Sequence, residues 1–311
     1  MIKRLKLSYK IYNFFQKKKL IHNEASFKKY GIKKRYYSSL NSQDFPQNFH
    51  DDLSLNKYKF NETISADSFF KSLDQKTQEV LLNWSDKGFA VLENYLSDDL
   101  VNKINAEVDE LVKKDKAYIR YGGKIMFAIH SSPLLRSIGE DKKLNGILKL
   151  LLQKEAVLFQ SINFLKGSEQ KTHSDSIHMS SFPLGNLIAI WVALEDIDET
   201  NGALHYYEGS HQLPYYMNPD FGNQGTKFML GKKSYYDYEN MIEQKIIEHK
   251  LEKTVFKAKK GDIFIWHANL LHGGEPHLDK TKSRKSMVFH YFGKGAICYH
   301  EVTQRPALIV N

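Results

Sequence analysis

The stretch Leu187-Ile188-Ala189-Ile190-Trp191-Val192-Ala193-Leu194 is apolar at every position. A strand with one face in water alternates between apolar and polar residues, so this run predicts a strand that is buried on both faces. Further strands are predicted on either side of it, at residues 88–92, 156–165, 203–207, 261–266 and 285–292. Several strands of similar length favour a mainly β fold with a jelly-roll barrel at its core.

A helical region is predicted ahead of most of these strands. Apolar residues recur mostly three or four apart from Phe69 to Trp84, and again from Leu100 to Leu111. Ser97 can cap the second helix, since a serine side chain accepts a hydrogen bond from the first turn. We therefore expect a helical jacket around the barrel. After the apolar run, Asn201-Gly202 predicts a hairpin turn, because this pair favours the positive φ angles of two-residue turns.

Composition limits the possible classes of protein. The chain has 311 residues, 41% of them hydrophobic, which is enough to bury a full core. The only cysteine, Cys298, excludes a disulfide framework within the chain and a cluster of thiolate ligands. There is no run of about 18 apolar residues, so no transmembrane helix is predicted.

The net charge of +9 is distributed unevenly. Residues 1–43 contain twelve lysines and arginines and one acid, Glu24, whereas the remainder contains 33 basic and 35 acidic side chains. The globular part is thus close to neutral, and its composition gives no electrostatic basis for binding nucleic acid. All of the excess positive charge lies on the N-terminal segment.

Two interpretations of this basic segment, residues 1–43, stay open. Its start is weakly amphipathic, because one helical face can carry Ile2, Leu5, Tyr9, Tyr12 and Phe15. An acid-poor amphipathic start is typical of a mitochondrial transit peptide and would place the protein in mitochondria. The alternative is a disordered basic extension on a cytoplasmic protein. Residues 44–65 are polar and non-periodic and predict a linker, so that the folded domain is expected at residues 66–311.

Two separate stretches carry the candidate metal ligands. In Lys171-Thr172-His173-Ser174-Asp175, the imidazole and the carboxylate are two residues apart, and such residues point to the same side of an extended chain. A third ligand is expected from the stretch Trp266 to Gly274, where His272 is favoured and His267 is the rival. Two histidines and one carboxylate with open positions suit a non-haem Fe(II) that also holds a co-substrate and O₂.

A basic residue is placed to hold the co-substrate. Asp175 balances one of the two charges of Fe(II), and a dianionic 2-oxo acid that chelates the metal would balance the rest. The far carboxylate of such a molecule needs a cation, and a guanidinium can bind it with two hydrogen bonds. Arg284, twelve residues after His272 and at the start of the next predicted strand, is placed to do this across a hairpin. Ser286 lies on the same side of that strand and could add a hydroxyl.

From Trp84 to Phe292 the chain resembles the phytanoyl-CoA dioxygenase family of Fe(II)/2-oxoglutarate-dependent oxygenases. The resemblance rests on an ordered series of short motifs: Gly88 to Leu96, His173-Ser174-Asp175, Trp191 to Asp196, Asn201 to Leu204, Gly209-Ser210-His211, Gly261-Asp262, Leu271-His272-Gly273 and Arg284. A lone His-X-Asp is common by chance, whereas the whole series in order is specific.

The resemblance implies a double-stranded β-helix (cupin-like) core, with Fe(II) held by His173, Asp175 and His272. It implies that 2-oxoglutarate binds Arg284 and lies near Trp191. Lys124 matches a second basic residue of the co-substrate site. The implied reaction consumes O₂, releases succinate and CO₂ and hydroxylates a substrate, with ascorbate as an optional reductant.

Two residues bear on how closely the chain follows the family. Halogenating relatives replace the iron carboxylate with a small residue, so Asp175 disfavours halogenation. Many relatives carry a hydroxyl residue two positions after the distal histidine, where this chain has Gly274.

Several alternatives stay open at this point. The same barrel could be a binding module without activity, or the same iron site could support desaturation or cyclisation. A small-molecule or acyl/lipid-type substrate is expected, and the oligomeric state is not predicted. His178 and His205 are candidates for the pocket wall or for buried hydrogen-bonded positions. The Tyr-rich segment 212–250, with Tyr235, Tyr236 and Tyr238, is expected to be irregular and is either a lid or loose surface.

Overall fold

The computed structural model describes residues 4–46, 52–120 and 123–309. Ile2, which was assigned to the amphipathic face of the N-terminal segment, lies outside these ranges. The described residues contain ten α-helices: α1 (Lys6–Phe15), α2 (Asn23–Lys29), α3 (Lys57–Ala66), α4 (Ser68–Ser72), α5 (Gln75–Leu82), α6 (Trp84–Lys87), α7 (Asp98–Lys113), α8 (Pro133–Gly139), α9 (Lys142–Leu152) and α10 (Tyr235–Glu248).

The same ranges contain thirteen strands: β1 (Phe89–Leu92), β2 (Tyr118–Arg120), β3 (Lys124–Met126), β4 (Ala156–Phe164), β5 (Ser180–Phe182), β6 (Leu187–Ala193), β7 (Leu204–Tyr207), β8 (Lys253–Phe256), β9 (Ile263–His267), β10 (His272–Gly274), β11 (Ser286–Gly293), β12 (Ile297–His300) and β13 (Arg305–Pro306). The strands predicted around the apolar run correspond to β1, β4, β6, β7, β9 and β11.

The largest sheet has seven antiparallel strands in the order β1-β9-β6-β11-β4-β3-β2. The continuously apolar strand β6 lies inside this sheet, and every residue of it is buried, as predicted. Its alternate side chains pack into two different cores. Ile188, Ile190 and Val192 pack with the helices, whereas Ala189 and Trp191 face the smaller sheet.

A three-stranded sheet, β10-β7-β8, packs against the inner face of the large sheet. Phe89, Phe264 and Trp266 of the large sheet form one apolar core with Leu204 and Tyr206 of β7. A third sheet, β13-β12-β5, lies at one end. Two packed antiparallel sheets are the layer arrangement expected for a mainly β domain.

The helical jacket is present on the outer face of the large sheet. Helices α7 and α9 contribute their apolar stripes, for example Val101, Ile104 and Leu148, to the outer core. Helix α7 begins as predicted, because the Ser97 hydroxyl accepts a hydrogen bond of 3.3 Å from the Leu100 backbone N–H. The helices thus cover the apolar side chains that strands of the large sheet direct away from the inner core.

The prediction that Asn201-Gly202 forms a hairpin is wrong. Residues 199–202 do turn, and Gly202 has φ +82°. However, β6 pairs with β9 and β11, whereas the following strand, β7, pairs with β8 and β10 in the other sheet. The turn therefore carries the chain from one sheet to the other, because each strand finds better partners far away in sequence.

The expected hairpin between His272 and Arg284 is also absent from the described residues. His272 begins β10 in the small sheet, whereas Arg284 precedes β11 in the large one. The two residues therefore approach the same space from facing sheets and not from two arms of one hairpin.

The linker predicted at residues 44–65 is wrong for its second half. Lys57–Ala66 is helix α3, and its Phe60 and Ile64 are fully buried in the main core. The side chain of Asp52, five residues before this helix, is also buried, and its carboxylate lies 2.8 Å from Nε2 of His267. Spacing alone did not reveal the helix, because only two of its ten residues are buried.

The basic N-terminal segment is folded in its described part, so the interpretation of a disordered extension is wrong there. Leu20, Phe27 and Leu40 are buried, and the last two pack with Phe182 and Ile297 of the third sheet. The Leu40 backbone N–H donates to the carbonyl of Gln304 at 2.9 Å. The transit-peptide interpretation stays a prediction, and so does the domain boundary at residue 66.

Candidate metal centre and co-substrate pocket

Backbone pairing between two distant segments brings His173 and His272 together. Each donates its backbone N–H to the carbonyl oxygen of the other at 2.9 Å, as in an antiparallel bridge. Side chains of directly paired residues emerge on the same face, and the two imidazole rings lie 4.6 Å apart between centroids. Asp175 follows two residues after His173, and its Oδ1 lies 3.9 Å from Nε2 of His173 and 3.7 Å from Nε2 of His272.

The orientation of both imidazoles leaves Nε2 available to a metal. Nδ1 of His173 lies 2.8 Å from the Lys171 carbonyl, and Nδ1 of His272 lies 2.9 Å from the Leu270 carbonyl. A carbonyl only accepts, so each Nδ1 carries the proton and each Nε2 carries a lone pair. Burial, together with the neighbouring His272 and His178, holds the pKa of His173 well below its ordinary value and keeps it neutral. Metal-binding histidines are commonly oriented in this way.

Asp175 is held as a carboxylate by the groups around it. Burial opposes its ionisation, but the imidazoles of His272, His290 and His173 outweigh that effect and lower its pKa. Its second oxygen, Oδ2, accepts a hydrogen bond of 2.8 Å from the indole N–H of Trp266. Oδ1 is thereby directed toward the two histidines, and one acceptor position of the carboxylate is reserved for Trp266.

The donor atoms of His173, Asp175 and His272 all lie within 4.8 Å of one another, and all three residues are buried. Two imidazoles and one carboxylate are donors that suit non-haem iron. The rival, His267, is not part of this cluster. Its Nδ1 accepts a hydrogen bond from the Asn269 backbone N–H, and its Nε2 lies 2.8 Å from Asp52. His267 is therefore a packed residue at the end of β9, as expected.

Arg284 is a buried cation at the other end of the same cavity. Its Nε donates to the Gly202 carbonyl at 3.0 Å, its Nη1 donates to the Ser286 hydroxyl at 2.6 Å, and its guanidinium lies 5.0 Å from the centre of a Trp191 ring. Burial lowers its pKa to about 10, so it stays charged at neutral pH. Among the described residues, no carboxylate lies within ion-pair distance of it. A buried charge without a counter-ion is costly, so the site is suited to an anionic ligand.

Lys124 lies at the same end of the cavity as Arg284, because both cations approach the ring of Phe164, at 5.5 Å and 5.9 Å from its centre. Its Nζ donates to the side-chain oxygen of Gln170 at 3.1 Å. Burial lowers the pKa of Lys124, although the charge of Asp175 opposes this shift. Two cations at one end of the cavity suit a ligand that carries two negative charges.

Ser286 was expected to add a hydroxyl to the co-substrate site, but it lies behind Arg284. It is fully buried and accepts from Arg284, and the residues that line the cavity include Arg284 but not Ser286. A different serine lies where the side chain of residue 274 would be. A Cβ added to Gly274 would meet Oγ of Ser168 at 3.0 Å, and Ser168 lines the cavity. A hydroxyl from another segment of the chain therefore lies next to position 274.

The cavity has a volume of about 920 Å³ and extends from Arg284 past the His-Asp-His cluster to the N- and C-terminal segments. Beyond the cluster its wall includes the apolar side chains of Phe159 and Met179. Tyr235, at the start of α10, lines it and packs on His178 with 4.7 Å between ring centres.

The Tyr-rich segment 212–250 is therefore not irregular throughout. Helix α10 lies within it and places one of the three tyrosines at the cavity. Tyr238 is buried and bonds Ser174 through its hydroxyl, whereas Tyr236 is 60% exposed. His178 also lines the cavity, whereas His205 is buried against Glu275 and Thr172.

Three neutral histidines of this cavity make the stability depend on pH. Burial lowers the pKa of His178 and His290 to about 4 and that of His300 to about 3, from 6.5. At pH values between the lowered pKa of the folded protein and the ordinary pKa of 6.5, the unfolded chain binds more protons than the folded one. We therefore expect the free energy of unfolding of the metal-free protein to fall as pH drops from about 6.5 to about 4, by about 1.4 kcal/mol per pH unit for each histidine.

Denaturant unfolding at a series of pH values measures this slope. His300→Gln removes one of the three imidazoles. The change of unfolding free energy with pH should then be smaller by about 1.4 kcal/mol per pH unit. A stability that is constant over this pH range would contradict the prediction.

Sequence reasoning missed three residues of the site: Trp266, His290 and Gln170. His290 is buried, its Nδ1 has no hydrogen-bond partner among the described residues, and its Nε2 lies 3.8 Å from Asp175. The sequence does contain a pattern that indicates His290. His290 follows Ser286 by four residues, so both side chains lie on the same face of β11. Gln170 donates to Nε2 of His173 at 3.2 Å, a contact that depends on tertiary packing.

Residues 84–286, about two thirds of the chain, match the sequence profile of the family described as phytanoyl-CoA dioxygenase. The chain belongs to this family. It is 27% identical over 176 residues to the phytanoyl-CoA dioxygenase domain-containing protein 1 of Rattus norvegicus, an alignment that covers 54% of this chain and 56% of the rat protein. The chain thus spans little more than half the length of that relative.

Two solved structures resemble this phytanoyl-CoA dioxygenase family member in fold. The non-haem α-ketoglutarate-dependent carbocyclase SnoK from nogalamycin biosynthesis superposes with a TM-score of 0.58 at 18% identity, covering 72% of this chain and 86% of SnoK. EctD from S. alaskensis, solved with 2-oxoglutarate and 5-hydroxyectoine, gives 0.53 at 19% identity, covering 68% of this chain and 74% of EctD. At such identities the likeness shows a shared fold and nothing more.

Proposed function

We propose that this protein is an Fe(II)- and 2-oxoglutarate-dependent dioxygenase that hydroxylates an aliphatic carbon of a small-molecule or acyl/lipid-type substrate. One observation carries the proposal. A buried His-Asp-His cluster and a buried arginine without a counter-ion line the same cavity. This is the arrangement that a metal ion and a chelating dianion would need. The two facing sheets would then be the double-stranded β-helix of the family.

The metal would be held by Nε2 of His173, Nε2 of His272 and Oδ1 of Asp175. When bound, Fe(II) supplies the activation of O₂, and 2-oxoglutarate supplies two electrons and leaves as succinate and CO₂. The protein's part is placement. Trp266 fixes Asp175 through its second oxygen, and backbone carbonyls fix both imidazoles. Gln170, which now donates to His173, would have to release that nitrogen when the metal binds.

The co-substrate would bind with its far carboxylate on Arg284. Ser286 and Gly202 hold the guanidinium in a fixed orientation, so that little ordering is lost on binding. The indole N–H of Trp191 has no hydrogen-bond partner among the described residues, although Trp191 lines the cavity. It can donate to the same anion. Lys124 and the Ser168 hydroxyl are the remaining polar groups at this end.

The substrate would occupy the apolar part of the cavity beyond the cluster. His178 and His290 are neutral at pH 7, whereas the guanidinium of Arg305 lines the cavity near the C-terminal segment. His290 has a buried Nδ1 without a partner, which could hold one polar group of the substrate close to the metal. An apolar wall with few polar groups suits an aliphatic substrate that carries a small number of oxygen or nitrogen atoms.

A second candidate is an oxidation without hydroxylation, because the same iron ligands can support it. The likeness in fold to SnoK, whose name describes a carbocyclase, favours keeping this candidate. A binding module without activity is less well supported, since each ligand position and the arginine are occupied by residues of the required type.

Turnover of 2-oxoglutarate tests the proposed function. With Fe(II) and O₂ we expect the purified protein to form succinate, and Asp175→Ala to lose this activity by about 100-fold or more because the metal loses its only anionic ligand. Asp52→Asn, which alters a buried carboxylate outside the cluster, is the matched control and should retain turnover. Product mass separates the two candidates, since hydroxylation adds one oxygen atom and desaturation or cyclisation removes two hydrogen atoms. Absence of both 2-oxoglutarate binding and succinate formation would overturn the proposal.

A further inference from the structure

Helix α1 directs its most apolar side away from the protein. Leu7, Ile11, Phe14 and Phe15 are spaced as one helical stripe and are 63%, 52%, 46% and 76% exposed. The buried residue of this helix is the polar Asn13. A surface helix normally turns its apolar stripe toward the core, so the orientation of α1 is inverted. We call the four exposed residues the outer face of α1.

Contacts at the N-terminal end of the helix and near its middle fix this orientation. The backbone N–H of Lys6 donates to the Phe228 carbonyl at 2.9 Å, and the guanidinium of Arg4 donates to the Leu230 carbonyl at 2.8 Å. Near its middle, Tyr9 lies under the guanidinium of Arg305 at 5.2 Å. Rotating α1 to bury its outer face would break these contacts, so the exposed apolar face is part of the folded structure.

Lysines lie close to the outer face in sequence, and the ammonium of Lys17 lies 5.0 Å from the centre of the Phe14 ring. Lys10, Lys17, Lys18 and Lys19 are exposed, and within residues 4–46, 52–120 and 123–309 none of them lies within ion-pair distance of an acid. The segment 1–43 carries twelve basic residues and one acid, in contrast to the nearly neutral remainder of the chain. An apolar helical face bordered by lysines is the composition of helices that lie in the interface of an anionic membrane.

Helix α1 also forms part of the cavity wall, on the side away from its outer face. Tyr12 and Asn13 of the same helix line the cavity. Tyr12, Tyr118 and Phe127 line the cavity and are 47%, 51% and 37% exposed, so the cavity reaches the surface at these residues. A membrane that covered α1 would therefore lie close to the opening of the cavity. Apolar molecules within that membrane could then reach the cavity without crossing water.

We propose that the outer face of α1 docks on an anionic phospholipid surface and that the cavity opens toward that surface. The apolar side chains would insert at the boundary between headgroups and acyl chains, while the lysines contact lipid phosphates and carboxylates. Docking itself requires neither iron nor 2-oxoglutarate. The corollary that the substrate is an amphiphile drawn from the lipid layer rests on the proposed function.

Sedimentation with lipid vesicles tests the docking. The full chain, without added metal, is mixed with vesicles of phosphatidylcholine alone or with added phosphatidylserine. We expect binding to the second kind only, weakened by salt. Ile11→Asp/Phe15→Asp should abolish binding. Lys17→Gln/Lys18→Gln/Lys19→Gln should weaken it by roughly fivefold for each charge removed. Ile247→Asp, at a position 76% exposed on α10, is the matched control and should bind like the unaltered protein.

Because all of these positions are exposed, each variant should keep the unfolding midpoint of the unaltered protein. The proposal would be overturned if the double variant Ile11→Asp/Phe15→Asp bound the vesicles as well as the unaltered protein does. It would also be overturned if the unaltered protein bound neither kind of vesicle. A dimer that dissociates in Ile11→Asp/Phe15→Asp would overturn it as well, since a second copy would then cover the face. Removal of residues 1–43 by isolated mitochondria would also overturn it, because α1 would then act in import. Succinate formation is measured separately, so failure of docking leaves the proposed activity standing.

Discussion

His272→Ala is expected to lose Fe(II) binding, whereas His267→Ala keeps it. His272 directs a lone pair toward Asp175 and His173, but His267 donates to Asp52 outside the cluster. Alteration of a group that only orients a metal ligand costs about 10–100-fold in affinity, and removal of a ligand should cost at least as much. Anaerobic addition of Fe(II) and 2-oxoglutarate, with the visible charge-transfer band of the chelated 2-oxo acid as readout, measures the difference.

Both variants are expected to lower the free energy of unfolding, because each histidine lies beside a buried carboxylate. His267→Ala leaves the buried carboxylate of Asp52 without its donor, which should cost about 1–3 kcal/mol of unfolding free energy. His272→Ala removes an imidazole that favours the buried carboxylate of Asp175, so it should also destabilise the metal-free protein. If the band disappears in a folded His267→Ala protein and persists in His272→Ala, the assignment of the ligands is reversed.

Arg284→Gln is expected to weaken 2-oxoglutarate binding by roughly a hundredfold, which corresponds to about 3 kcal/mol from two charge-assisted hydrogen bonds. The guanidinium is buried, charged and without a carboxylate partner in the part of the chain that the structure describes. Titration of the same anaerobic band with 2-oxoglutarate measures the affinity. Arg284→Lys keeps the charge but loses the planar pair of donors, so it should recover only part of the loss.

Lys280→Gln is the control for this experiment, since it removes a basic residue of the same run of sequence. Lys280 is exposed and pairs with Glu169 at 3.0 Å, away from the cavity lining. The affinity of the Lys280→Gln variant for 2-oxoglutarate should equal that of the unaltered protein. Equal affinity in Arg284→Gln would show that the anion binds elsewhere, and Lys124 would then be the residue to alter next.

The structure also changes how the N-terminal segment is interpreted. Its basic composition suggested either a removable signal or a disordered tail, but residues 4–46 contribute Leu20, Phe27 and Leu40 to buried cores and Tyr12 to the cavity wall. If the segment were removed, the third sheet would lose part of its apolar cover and the cavity would lose part of its entrance. No helix of the described residues is long and apolar enough to cross a membrane.

Local sequence was sufficient to predict six of the strands and the candidate ligands. Continuous apolarity predicted β6 because burial on both faces leaves no polar position, and the His-X-Asp spacing placed two donors on one side of an extended segment. These features depend on neighbouring residues only. The order of short motifs identified the family, which the match over residues 84–286 then showed.

Only the tertiary structure decided which distant residues meet. The bridge between His173 and His272, the indole of Trp266 on Asp175 and the pairing of Asp52 with His267 each join segments from about 90 to 215 positions apart. The outward orientation of α1 is of the same kind, because it depends on carbonyls near residues 228–231. Periodicity reports whether a side chain is buried, but the register between strands and the partner of each polar group are set by packing over the whole chain.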